Sequence, residues 1–303
     1  MLKFVIRRII ESVGVLLCVS LITFYLSKAI PGGPFDEEKK VPEAVKKQLE
    51  AYFGLDQPDW KRYLTYTFQF PSLPSTKYPN RQVGEMIANK FPVSLELGAW
   101  SLMVALLLGI PSGIIASLKP NSALDYVPSS LSMVGICLPT FVMGPMLVII
   151  FAVQLRWLNA TGWENPTDKI LPSLTLGFYY AAYVARLTRG GMLEVLNQDF
   201  IRTALAKGAG KFSVLVKHAL RGGLLPVISF LGPAAAGLIA GSFVVETVFA
   251  IPGMGQEFVK AVSNRDITFI TGLVLFYAAL IIMFNLLVDI LQVILNPKLS
   301  FKD

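Results

Sequence analysis

The chain has 303 residues, of which 54% are apolar and 16% charged, against about 25% charged in an ordinary globular protein. So few charges cannot cover the surface of a soluble fold, which argues against both intrinsic disorder and a nucleic-acid-binding domain. The net charge of +7 lies between long apolar runs, a distribution that reports membrane topology. Cys18 and Cys137 both sit inside apolar runs, leaving neither a disulfide framework nor a thiolate metal site.

Crossing a bilayer takes roughly 20 apolar residues. Six stretches free of Asp, Glu, Lys and Arg qualify: Ser12 to Ser27, Leu97 to Leu118, Tyr126 to Leu155, Ile170 to Ala185, Gly222 to Val245 and Ile267 to Val288. The first and fourth are short. Ile9–Ile10 and Ala29–Ile30 extend the first, and Arg186 can snorkel at the end of the fourth. No small-x-small cleavage site precedes Pro31-Gly32-Gly33-Pro34, so the first stretch is read as a retained span. The expectation is an all-α integral membrane protein with six transmembrane helices.

Basic residues in short loops set the orientation. With six spans, the side holding both termini carries thirteen Lys and Arg, and the short loops opposite carry four. Both termini are therefore expected in the cytoplasm.

Two loops are long. The first, roughly Pro31 to Glu96, is external. Within it PEAVKKQLEAYFGLDQP predicts a short amphipathic helix, with Pro42 in the first turn and Gly54 as C-terminal cap. Val45, Leu49 and Phe53 share one stripe. That helix serves either as a cap over the membrane region or as a substrate contact. The following FPSLPSTKYPN, with three prolines, predicts irregular structure.

The second long loop, about Arg186 to Arg221, is cytoplasmic and holds seven Lys or Arg against Glu194 and Asp199. Asp199 is placed to cap a helix over Phe200 to Lys207. Gly208 and Gly210 break it, and a second helix starts near Lys211. Charge alone fits an anchor on anionic lipid. The apolar and small residues Phe200, Ala204, Ala206 and Ala209 around the bend instead suit docking into a cleft of a soluble partner.

FIRTALAKG followed by VLVKHALRGGLLP resembles the cytoplasmic loop motif of binding-protein-dependent ABC importers, in the oligopeptide/dipeptide permease branch. Arg202, Thr203, Ala204, Gly208, His218, Ala219, Leu225 and Pro226 match that branch. The resemblance spans nearly the whole chain. LKFVIRRIIESVGVLLCVSLITFYLSKAIPGGPF, FPVSLELG, ARLTRGGMLEVL and GSFVVETVFAIPGMG fit in order, and the pattern is most similar to the B-type subunit of the peptide permease. Two departures stand out. FQFPSLPSTKY replaces a Gly-Asp-x-Gly-x-Ser stretch usual in the first external loop, and Asn296-Pro297-Lys298 replaces Asp-Pro-Arg.

The resemblance implies a type I ABC importer-like permease fold. Its parts would be an N-terminal transmembrane helix (1–30), an external loop region (31–96), a five-helix permease core (97–295) with a coupling loop (186–221), and a cytoplasmic tail (296–303). It also implies partners: a second homologous permease of C type, two cytoplasmic ABC ATPases, an extracytoplasmic substrate-binding protein and membrane lipid. Nucleic acid is not among them. Phe200, Arg202, Thr203, Ala204, Ala206, Lys207, Gly208 and Ala209 would form the ATPase-docking loop in a bacterial inner membrane.

No G-x-x-x-x-G-K-[ST] phosphate loop occurs, so ATP binding falls to partners. The chain itself is expected to be no enzyme and to carry no cofactor or metal. His218 is the only histidine, which precludes a multi-histidine metal site. Glu246 and Asp289 at span ends, and Asn285 within the sixth span, are pathway or gate candidates, since polar groups at membrane depth face interior or water. Both acids serve equally well as helix-end pins. Gly and Pro recur in the spans (Gly109, Pro111, Gly135, Pro139, Gly144, Pro145, Gly232, Pro233, Gly237, Gly241), for close packing or for bending. Competing readings are a same-family importer of nickel chelates or glutathione, a secondary transporter working alone, and an intramembrane enzyme, for which no reactive cluster assembles.

Overall fold

The computed structural model describes residues 2–29, 42–240 and 243–295. Among them the chain is helical, and the only strand-like pairing is an isolated bridge between Pro74 and Gln82. The elements in order are α1 (Leu2–Ala29), α2 (Glu43–Tyr52), α3 (Asp59–Phe68), α4 (Val83–Leu118), α5 (Ala123–Cys137) and α6 (Thr140–Leu147, continuing as a π-helix over Val148–Gln154). There follow α7 (Ile170–Leu196), α8 (Asp199–Ala206), α9 (Lys211–Ser213), α10 (Leu225–Ala240), α11 (Phe243–Val248), α12 (Met254–Ser263) and α13 (Ile267–Leu295).

Among the described residues four stretches are long and apolar enough to cross a membrane: Ile10–Ala29, Val83–Leu118, Leu225–Val248 and Ile267–Leu291. The expected third span is not one straight helix. It is the pair α5 and α6, bent by 107°. Pro139 causes the break: it has no N–H to donate, and it forces Leu138 before it out of the helical region to φ −80°, ψ 115°. The helix expected as the fourth span, α7, has 27 residues, ample length to cross. It is less apolar than the others because Tyr179, Tyr180 and Tyr183 and the charged Arg186, Arg189 and Glu194 interrupt it. Neighbouring helices cover most of α7, with Leu171, Leu176, Ala181, Val184, Ala185 and Met192 all buried, so it needs little lipid-facing apolar surface.

The described residues divide into two compact units, one drawn from those up to Ser94 with Pro252–Met283, the other from Leu95–Ile251 with those from Phe284 to Leu295. In the first, Val83, Ile87, Met254, Ala261, Phe269, Ile270 and Leu273 form the core. Phe24 of α1 meets Tyr63 and Tyr66 of α3 edge to face at 5.8 and 6.3 Å. The amphipathic helix expected after Pro31 is α2, with Pro42 as its N-cap rather than inside its first turn. Phe53 is its C-cap, and Gly54 follows at φ +65°.

The proline-rich stretch after α3 is irregular apart from a 3₁₀ turn, Phe70–Ser72. It is nevertheless pinned. The buried Asp266 carboxylate accepts hydrogen bonds from the Ser75 hydroxyl, from the Thr76 amide at 3.0 Å and hydroxyl at 2.8 Å, and from the Phe269 amide at 3.2 Å. One side chain thus caps α13 and fastens the first long loop to it.

In the second unit the helices approach closely through glycine. A Cβ on Gly109 of α4 would lie 2.7 Å from the Ala181 carbonyl of α7. One on Gly113 would meet the Ala185 carbonyl and lie 2.5 Å from Thr188 Cβ. Glycines four apart on one helix let two backbones touch, the small-residue packing that substitutes for the hydrophobic effect inside lipid.

Candidate functional site

The loop singled out from the sequence is a compact helix–turn–helix. Asp199 lies in the first turn of α8 instead of capping it; the N-cap is Gln198. The carboxylate still favours the positive end of the helix. Arg202 lies 3.7 Å from it, with both side chains exposed, so this pair contributes little. The Thr203 hydroxyl donates to the Asp199 carbonyl at 3.0 Å.

The end of α8 explains its glycine. Ala209 N–H bonds to the Ala204 carbonyl at 3.1 Å and Gly208 N–H to the Leu205 carbonyl at 2.9 Å. This is the paired closure of a Schellman motif, which needs a left-handed residue between. Gly208 supplies it at φ +84°. Gly210 is extended and opens α9, which turns through a π-helical segment, Val214–Ala219, into Leu220–Gly223. The sequence showed the break but not the π-helical turn, because backbone pitch has no residue signature.

One face of this knob is fixed and the other is free. Ile201, Val214 and Ala219 are buried with Met192 and Val195 of α7, and Ala204 and Ala209 pack against them. The knob is thereby keyed to the end of α7. On the outside Phe200 (47% exposed), Leu205 (44%) and Phe212 (78%) show apolar surface. Arg202, Ala206, Lys207 and Gly208 are also exposed. Exposed aromatics ringed by basic groups suit a docking surface better than a solvated loop.

At the same end, Arg189 of α7 holds Asp125 of α5 by two hydrogen bonds of 2.6 and 2.7 Å. Asp125, only 3% exposed, also accepts from the Asn121 amide at 3.0 Å and the Ser129 hydroxyl at 3.2 Å. In the sequence Arg189 is one loop charge among seven; only the fold shows its partner, 64 positions away.

At the opposite end of α7, Glu96 pairs with Lys169 and accepts from Trp163 Nε1 at 3.1 Å. Beside it the Asp168 carboxylate organises residues 155–169, accepting from Asn159 Nδ2 at 2.7 Å and the Asn165 amide at 2.9 Å. These hydrogen bonds, that of Asn159 first, hold the Asp168 carboxyl below the usual carboxylate range.

The pathway candidates fall on two elements. Glu246 is fully buried in α11. Asn285 and Asp289 lie one turn apart on α13, and Asn285 Oδ1 would be 3.4 Å from a Cβ on Gly232 of α10. Asn296-Pro297-Lys298 and Pro31-Gly32-Gly33-Pro34 lie outside the described residues.

Residues 109–301 match the family described as binding-protein-dependent transport system inner membrane component, and residues 1–98 match its N-terminal region. The oligopeptide transport system permease protein OppB of Haemophilus influenzae is 43% identical over 99% of this chain and 100% of its own length. The dipeptide transport system permease protein DppB of Bacillus subtilis is 43% identical over 99% and 98%. OppB of Escherichia coli K12 is 42% identical over 99% and 100%. Among solved structures, an inward-facing MetNI methionine ABC transporter superposes with a TM-score of 0.59 at 17% identity, covering 70% of this chain and 97% of that one. An amino acid ABC transporter matches at 0.54 and 16%, covering 69% and 94%. These share the fold. With both family regions matched in order and near-full-length kinship to peptide permeases, the chain belongs to the binding-protein-dependent transport system inner membrane component family, in its oligopeptide and dipeptide permease branch.

Proposed function

We propose that the chain is a permease subunit of an ABC importer and forms half of a path for oligopeptides or dipeptides across the bacterial inner membrane. The observation that carries this reading is the knob of α8 and α9, keyed inward to α7 by Ile201 and Val214 and presenting Phe200, Leu205 and Phe212 outward. A rigid knob fused to a long membrane helix transmits displacement rather than absorbing it.

A second permease of C type would complete the path, and two cytoplasmic ATPases would grip the two knobs. ATP-driven closure would then move α7 and α10 as levers and switch the path between inward- and outward-facing states. The external face, around Glu96, Lys169 and the loop shaped by Asp168, would receive a peptide-loaded binding protein. In this arrangement α1, α4, the bent pair α5–α6, α7, the Leu225–Val248 stretch and α13 make six crossings. Both termini then lie in the cytoplasm, as the thirteen-to-four bias in basic residues favours. Peptide is the cargo by kinship with the OppB and DppB proteins.

The experiment is co-purification in mild detergent followed by reconstitution. The complex should contain ATPase subunits and import peptide only with ATP and binding protein. Recovery of the chain alone, moving solute along an ion gradient, would replace this reading with a secondary transporter.

A further inference from the structure

Three tyrosines of α7 and Phe230 of α10 make a continuous aromatic surface. Ring centroids are 5.3 Å apart for Tyr179 and Tyr180 and 5.2 Å for Tyr179 and Tyr183. Phe230 stacks on Tyr183 at 5.8 Å and 24°. The Tyr179 hydroxyl donates to that of Tyr183 at 3.4 Å. Gly237 makes room for the Tyr180 hydroxyl, which would sit 2.5 Å from a Cβ there. One turn on from Tyr183, the Arg186 guanidinium lies 5.3 Å over its ring. Arg186 also lines a cavity of about 410 Å³ with Ser112, Ser129 and Ser132.

The depth of these groups makes them unusual. The Lys169–Glu96 pair beside Trp163, just before Ile170, has the mixed aromatic and charged character of a membrane boundary. At 1.5 Å per residue, Tyr179 lies about 14 Å and Tyr183 about 20 Å along α7, inside a hydrocarbon core about 30 Å thick. Tyr179, Tyr180, Tyr183 and Phe230 are half-buried, so part of each ring is accessible. Phenol groups at that depth are costly against acyl chains, and polar groups in spans face a protein interior or a watery cavity.

We propose that the Tyr179–Tyr183–Phe230 surface lines the inner half of the passage, with Arg186 at its inner end receiving the C-terminal carboxylate of the peptide. This inference rests on the permease reading. Aromatic faces take apolar side chains and amide planes without demanding one sequence. The tyrosine hydroxyls exchange hydrogen bonds with the peptide backbone, and a guanidinium matches a carboxylate with two parallel bonds. The serine-lined cavity beyond Arg186 gives the emerging peptide hydroxyl partners before release.

The test uses the whole transporter in proteoliposomes, with benzoylphenylalanine in place of Tyr183 and, as control, of Ile22 on α1. The replacement keeps an aromatic ring at position 183 and extends a benzoyl group from its para carbon, where the hydroxyl was. The probe is a tritiated alanyl-phenylalanyl-alanine tripeptide, irradiated during turnover. Tritium should attach to this chain at position 183 only when ATP is present, and never at position 22. In parallel, Arg186→Gln should lower uptake of the tripeptide about tenfold at normal abundance, the loss of one charge-assisted contact, and Arg186→Lys should recover part of it. Cross-links from position 183 only to a second subunit or to lipid would overturn the inference, as would unchanged uptake in Arg186→Gln, while wild-type import of peptide left the permease reading intact. Failure of the wild-type complex to import the tripeptide would instead overturn the permease reading and this inference with it.

Discussion

The Arg189 guanidinium clasps the Asp125 carboxylate with two nitrogens, at 2.6 and 2.7 Å, joining the start of α5 to the last turns of α7. The arrangement is asymmetric: the Asp125 side chain is 4% exposed and that of Arg189 33%. Removing the cation strands an enclosed anion, whereas removing the anion leaves a cation that can swing to water. Arg189→Ala is therefore expected to lower the unfolding midpoint in detergent more than Asp125→Asn, measured by tryptophan fluorescence. Equal or reversed effects would contradict the pairing.

Gly208 carries the left-handed turn that ends α8. A Cβ there meets nothing within 4 Å, so the cost of substitution is in the backbone, about 1 kcal/mol for alanine. Gly208→Asn, which tolerates that conformation, should retain most peptide uptake, and Gly208→Val should lose most of it with the protein still inserted. Uptake in membrane vesicles, normalised to abundance, orders the two substitutions; equal uptake in both would show that the turn does not matter.

Gly113 fails for the opposite reason, since there is no space. Gly113→Val would drive a side chain into the Ala185 carbonyl and Thr188, and should cost about 3 kcal/mol or more. Size-exclusion chromatography should show aggregate in place of a monodisperse peak.

Asp266→Ala removes the acceptor for Ser75, Thr76 and Phe269 together. It is expected to cost about 3 kcal/mol and to open residues 70–80 to protease. Limited proteolysis with mass mapping checks it; an unchanged digest would contradict the staple.

Asp168 has a carboxyl whose folded value lies below the ordinary one because Asn159 and Asn165 donate to its ionised form. Its contribution is fully present above the unfolded value and is lost as pH falls through the folded value. The unfolding midpoint should fall as the pH drops below about 5, and less steeply in Asp168→Asn. Identical slopes would remove Asp168 from the account.

Much of this molecule is legible in its residues. Apolar runs mark the membrane stretches, and Gly208 with Gly210 marks the bend after α8, because span length and left-handed turns have strong compositional signatures. The break at Leu138–Pro139 was within reach, since a proline after an unconstrained residue ends a helix, but continuous apolarity across it masks the bend. Asp199 looked like a cap because its type fits, yet Gln198 one position earlier has the extended backbone that begins the helix. What could not be read are relations across the chain: Asp125 with Arg189, Ser75 and Thr76 with Asp266, Tyr183 with Phe230. Each joins residues whose meeting depends on how helices pack, and local periodicity is silent on that.

Cysteine cross-linking between the outer face of α8 and an ATPase subunit, scored during transport, bears most directly on the role given to the knob. With cysteine in place of Phe200, a facing cysteine introduced on the ATPase and both native cysteines replaced, a thiol oxidant should join the chain to the ATPase by a disulfide in the reconstituted complex and stop ATP-driven peptide uptake, and reduction should break the link and restore uptake. Full uptake with the link closed, or no link to any ATPase while ATP-driven uptake proceeds, would show that the knob does not carry the motion.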